Sequence, residues 1–146
     1  AAGINGMIGG QVVDLESENK KIDVDTLNYI HLNKTAALIK APLKIGAIIG
    51  QACEADIRNM ELIGNNLGLA FQIRDDILDI VGENQKLGKS VGSDANKHKA
   101  TYPAVHSLQD SLDKVKELTF NANEKLKLYN SSFLYELSNY LINREY

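Results

Sequence analysis

Between Gly68 and Val81 the sequence reads GLAFQIRDDILDIV. At about 100° per residue on an α-helix, Gly68, Gln72, Asp75, Asp76 and Asp79 share an arc about 100° wide. Leu67, Ala70, Phe71, Ile73, Ile77, Leu78, Ile80 and Val81 cover nearly all the rest, with Arg74 the one exception. A helix on a protein surface shows a wide polar face. This one shows a narrow carboxylate stripe on an apolar cylinder, which must be buried on most sides. Packed helices supply such surroundings, so the segment points to an all-α bundle.

The remaining sequence agrees with that class. Helical periodicity runs almost throughout, only two prolines occur, and no β-branched stretch alternates as a strand does. A first helix is expected from near the start to about Leu15, and Asp23 or Asp25 can cap a second. Pro42 is expected to interrupt or kink the continuation through Ile49. A long helix is expected from about Ala55 to Val81, closed by Gly82. Gly82 to Lys99 reads as the one extended polar loop, of a length usually functional or disordered. Two more helices follow, about Tyr102 to Tyr129 with a break near Asp110, and Ser131 to Arg144. No linker or repeat divides residues 1–146, which read as part of a single helical domain.

Composition narrows the function classes. With 16 basic and 19 acidic residues among 146, the net charge of −3 argues against a nucleic-acid-binding domain held by phosphate contacts. The most apolar stretch, Ala36 to Gly50, is broken by Lys40, Pro42 and Lys44, so no membrane span or signal peptide is expected. A single cysteine, Cys53, cannot form an internal disulfide and fits a reducing, cytoplasmic location.

The chemistry concentrates in the acidic arc. Asp75, Asp76 and Asp79 repel one another unless a cation neutralises them. Their oxygen ligands suit a hard ion, Mg²⁺ first and Mn²⁺ as the alternative, since Mg²⁺ is held by one or two carboxylates, waters and substrate phosphates. A solvated acidic face is the competing reading. Lys34 and Thr35 lie on a mostly apolar helix where the lysine can serve phosphate or merely snorkel. Lys89 and Lys99 lie in the loop and can close over a phosphate. His31, His98 and His106 have no zinc-site spacing and read as ordinary surface or packing residues. No covalent nucleophile is evident.

These elements together resemble the C-terminal half of trans-isoprenyl diphosphate synthases of the farnesyl and geranyl diphosphate synthase group. Residues 6–15, GMIGGQVVDL, are similar to the family's glycine-rich GQ helix, and Lys34-Thr35 to its KT motif. The stretch Phe71-Gln72 to Asp79 resembles its FQxxDDxxD motif, and residues 88–103 its GKxxGxD…KxTxP loop. The resemblance implies an isoprenoid-synthase helical fold, condensation of isopentenyl diphosphate with an allylic diphosphate, and association as a homodimer. It implies that Asp75, Asp76 and Asp79 hold the metal on the allylic diphosphate, Asp75 most directly. Lys34, Thr35, Gln72 and Lys99 then serve catalysis, and Gln11, Phe71 and Lys89 join them in binding substrate. His98 stands where the family usually has glycine. The first aspartate-rich motif and the isopentenyl-binding basic motif are absent, so the chain is expected to be about half of the bundle and inactive alone. A non-catalytic partner subunit is the alternative, and a terpene cyclase fits less well because of the KT and loop motifs.

Overall fold

The computed structural model describes residues 1–87 and 101–143. Within them the chain is helical and contains no strand. Helix α1 (Met7–Glu16) begins without a side-chain cap. Helix α2 (Val24–Ile30) begins at Asp23, whose carboxylate accepts the Thr26 N–H at 2.8 Å and satisfies an otherwise orphaned donor.

A π-helical segment, His31–Ala36, joins α2 to helix α3 (Ala37–Ile49). The Ala37 N–H reaches back to the Leu32 carbonyl, five residues earlier, which is the bonding of a π-turn. The helix does not stop at Pro42: α3 passes through it. Proline removes the donor for the carbonyl four residues earlier. That residue is Leu38, on an exposed face where water can reach, so the expected interruption does not occur. The α3 helix closes in a Schellman arrangement, with Ala52 N–H on the Ala47 carbonyl, Gln51 N–H on the Ile48 carbonyl and Gln51 left-handed at φ 54°.

Helix α4 (Glu54–Leu87) has 34 residues and is the axis of the fold. It continues past Gly82, correcting the expected end there. One glycine costs a helix only about 1 kcal/mol relative to alanine, too little to stop it unaided. Helix α5 (Tyr102–Val105) and helix α6 (Leu108–Leu126) are separated at His106–Ser107, slightly before the expected break. There the Ser107 side chain accepts the Asp110 N–H, and the Asp110 carboxylate accepts the Ser107 N–H, a capping box that starts a new helix. A 3₁₀ turn, Lys127–Tyr129, leads to helix α7 (Ser132–Asn143).

Two apolar clusters lie along α4. Met60, Ile63 and Leu67 meet Ala122 and Leu126 of α6 near one end. Further along, Ala70, Ile73 and Ile77 meet Leu27, Tyr102, Val115, Leu118 and Ile142. The acidic helix is thus apolar as expected but less enclosed: Phe71, Leu78 and Ile80 are half-buried and Val81 is exposed. Glycines set its approach to the π-segment and α3. A Cβ on Gly68 would lie 2.4 Å from Ala36 Cα, and one on Gly64 would lie 2.5 Å from Lys40 Cα. Apolar side chains remain exposed on α1 (Ile8, Val12, Leu15) and α3 (Ile45, Ile48, Ile49). Among the described residues no helix is long and apolar enough to cross a membrane.

Candidate active site

The polar residues of α4 meet the π-segment and α5 at one place. Asp76 lies at the edge of the acidic arc, about 100° from Asp75 and 60° from Asp79, and is turned inward, 2% exposed. Its Oδ2 accepts the backbone N–H of Tyr102 at 2.8 Å, and its Oδ1 accepts Gln72 Nε2 at 3.2 Å. The Gln72 carbonyl in turn accepts the Thr35 hydroxyl at 2.6 Å. One polar chain therefore joins the Lys-Thr pair to the Phe-Gln and Asp-Asp positions across the helix interface. Two donors on a buried carboxylate offset much of the desolvation that burial imposes.

A third group faces the same carboxylate. His31, 3% exposed at the first position of the π-segment, places Nε2 3.3 Å from Asp76 Oδ2. Its ring stacks on Tyr102 at 6.2 Å between centroids, and Tyr102 stacks on His106 at 4.4 Å. Burial pushes the Tyr102 phenol above its ordinary pKa, so it stays protonated at neutral pH. The expectation that His31 is an ordinary surface or packing residue is corrected: it is a buried polar neighbour of the acidic motif.

Lys34 forms an ion pair with Asp14 of α1. Gly10 makes that packing possible, since a Cβ there would lie 2.2 Å from Lys34 N. Gln11, the next residue, is half-buried on the same helix. Phe71 is half-buried against the Ala70–Ile77 cluster. Asp75 is half-buried and Asp79 exposed, and they lie about 40° apart around α4. Lys89, Lys99 and His98 fall outside the described residues, as does the rest of the GKxxGxD stretch. Of the expected site residues, the structure therefore joins Thr35, Gln72 and Asp76 directly. It sets Lys34 with Asp14 beside them and leaves Asp75 and Asp79 on the more open side of the helix.

Sequence reasoning missed Asp14, His31 and Tyr102. His31 did carry a signal: it lies four residues before Thr35, on the same side of an apolar helix. Asp14 stood inside the glycine-rich block as its one acid. Tyr102 acts through its backbone N–H, which no residue type reveals.

Among the described residues no three His, Cys, Asp or Glu side chains converge to enclose an ion by themselves. Mg²⁺ does not require that, being held by one or two carboxylates with waters and substrate phosphates. Asp75 and Asp79, close on one side of α4, fit such a partial donor set. Asp76 has both oxygens turned to protein donors.

A profile of the polyprenyl synthetase family matches residues 1–132. The chain belongs to the polyprenyl synthetase family. The Bacillus subtilis farnesyl diphosphate synthase is 45% identical over 115 residues, covering 79% of this chain and 39% of that relative. Among solved structures, the geranylgeranyl pyrophosphate synthetase of Pyrococcus horikoshii superposes with a TM-score of 0.80 at 29% identity. That match covers 95% of this chain and 55% of that one. The geranyltransferase of Helicobacter pylori, solved with magnesium and isoprenyl diphosphate, gives a TM-score of 0.73 at 28% identity, covering 97% and 47%. The chain spans about half the length of the curated relatives it matches. The similarity bears out the expected all-α isoprenoid-synthase fold.

Proposed function

We propose that this chain carries one side of the active site of a Mg²⁺-dependent isoprenyl diphosphate synthase, which condenses isopentenyl diphosphate with an allylic diphosphate. The observation that carries the reading is the polar chain Thr35–Gln72–Asp76, which ties the KT and FQxxDDxxD elements together on one face of α4. The magnesium and isoprenyl diphosphate in the Helicobacter pylori relative support the same chemistry.

In this reading Asp75 and Asp79 are the direct metal ligands, with Asp76 completing the motif from inside. Bound Mg²⁺ would supply Lewis-acid neutralisation of the diphosphate as negative charge develops on it. Lys34 adds a fixed positive charge to the same group, its ammonium already oriented by Asp14. Thr35 and Gln72 lie beside the reacting end of the substrate. Phe71 and the apolar sides of α4 keep water from the allylic cation. Lys89 and Lys99 are assigned to the diphosphate, and Gln11 to the substrate-binding wall, on the family resemblance. Breaking the allylic C–O bond sends its electron pair to diphosphate; the new C–C bond forms from the isopentenyl double bond, and a proton then leaves.

The exposed apolar side chains of α1 and α3 give further helices a surface to bury. Association as a homodimer and a cytoplasmic location complete the proposal, on resemblance.

The test is turnover of labelled isopentenyl diphosphate by a protein of the relatives' full length that carries this chain. Asp75→Ala is expected to lower kcat/KM by several kcal/mol of transition-state stabilisation, the scale of a lost catalytic metal ligand. Rates near those of the unsubstituted protein at saturating Mg²⁺ would remove Asp75 from the site. The 146-residue chain by itself is expected to show no turnover, and measurable product from it would overturn that expectation.

A further inference from the structure

We propose that His31 is a positioning residue for the acidic motif: it holds Asp76 from the π-segment and thereby fixes how α4 presents Asp75 and Asp79 to a metal–diphosphate ligand. The inference rests on the reading of this face as a diphosphate site.

His31 is costly to bury. It is 3% exposed, and its Nδ1 is buried without a hydrogen-bond partner. An orphaned buried polar atom is unfavourable, and a leucine would fill similar space without it. Its second nitrogen, Nε2, lies 3.3 Å from Asp76 Oδ2 and faces the carboxylate.

Asp76 is the point at which two elements, the π-segment and α5, meet α4. The π-segment supplies His31, α5 supplies the Tyr102 N–H, and Gln72 links the carboxylate to Thr35. The apolar clusters and the close contacts at Gly64 and Gly68 restrain the rotation of α4, and the contacts on Asp76 add a polar restraint beside the acidic arc. Asp75 and Asp79 follow Asp76 by fixed angles of about 100° and 60°. Gripping Asp76 from two sides therefore fixes the direction of both. The extra residue of the π-turn puts His31 and Thr35 against α4 while Lys34 reaches α1. Supporting groups behind a metal-binding carboxylate commonly change metal affinity by about 10–100-fold when removed.

The experiment measures binding of inorganic diphosphate to the full chain by calorimetry, with Mg²⁺ and with EDTA, alongside thermal melts. His31→Gln keeps an N–H donor of similar reach. His31→Asn is polar but too short to reach Asp76, and His31→Leu fills the space with no donor. His31→Leu and His31→Asn are expected to weaken Mg²⁺-dependent binding about tenfold, with His31→Gln within about twofold of the unsubstituted chain. If His31→Leu fails to fold, the contrast between Asn and Gln decides. Lower melting temperatures with unchanged affinity in both short variants would overturn the positioning role. So would equal weakening by all three substitutions. Asp75→Ala separates the two readings. If it abolishes binding while His31→Asn binds normally, only the positioning role fails. If the unsubstituted chain shows no Mg²⁺-dependent binding, both fail.

Discussion

Two polar networks are anchored on α4, one near its start and one at its middle, and they are built differently. Near the start, the Tyr129 hydroxyl donates to Asp56 Oδ1 at 2.8 Å and accepts from Asn59 at 2.9 Å, while the Cys53 thiol donates to Asp56 at 3.1 Å. Cys53 is exposed and Asp56 half-buried, so water can replace a partner that is lost. At the middle, Asp76 and His31 are almost fully buried, and Asp76 accepts from Gln72 of its own helix and Tyr102 of α5 while facing His31 of the π-segment. The first network ties the 3₁₀ turn after α6 to α4. The second ties the π-segment and α5 to the acidic arc of α4, where burial leaves little room for water to take over. The same kinds of bond therefore carry different consequences, because burial decides what remains when one is broken.

The largest expected effect is at Asp76. Asp76→Leu leaves the Tyr102 N–H and the Gln72 amide without their acceptor, and should cost about 3–5 kcal/mol in urea unfolding. A loss below about 1 kcal/mol would show that the buried network is no more demanding than the exposed one. Next comes Gly68→Val, which drives a side chain into Ala36 and should cost about 1–3 kcal/mol. It should also reduce diphosphate binding, because the π-segment must move away from α4. An unchanged melting temperature would mean that the helices separate there without penalty.

Tyr129→Phe should cost about 0.5–1.5 kcal/mol and leave diphosphate binding unchanged. Loss of binding in this variant would erase the distinction between the networks. The smallest effect is in acid. Hydrogen bonds from the Cys53 thiol, and then from the Tyr129 hydroxyl, hold Asp56 below the ordinary carboxylate pKa. A carboxyl lowered on folding contributes stability above its unfolded pKa of about 4 and loses it as pH falls through the folded value. Asp56→Asn should therefore flatten the decline of stability from about pH 4 downward. The same slope in both proteins would detach Asp56 from this linkage.

The helices and their order were legible because apolar periodicity reports burial directly, and the arc from Gly68 to Asp79 located the face where α4 meets Thr35 and His31. The π-segment was not legible. It arises where α1 closes on Lys34 at Gly10 and α4 closes on Ala36 at Gly68, contacts between residues far apart in sequence. Without it, His31 could not be told from any histidine on an apolar helix. Wheel angles placed Asp76 with its neighbours, but its inward turn depends on a backbone N–H from α5, which sequence patterns do not encode. Helix ends were read well where a side chain makes the cap, as at Asp23. They were misread where one residue type was taken to settle the matter, as at Pro42 and Gly82.

The proposed function requires that the middle of α4 bind diphosphate through a metal. Titration of the chain with inorganic diphosphate, with and without Mg²⁺, tests it most directly when repeated on Asp75→Ala. Binding is predicted only with Mg²⁺ and only in the unsubstituted chain; equal affinity in EDTA, or in the variant, would contradict it.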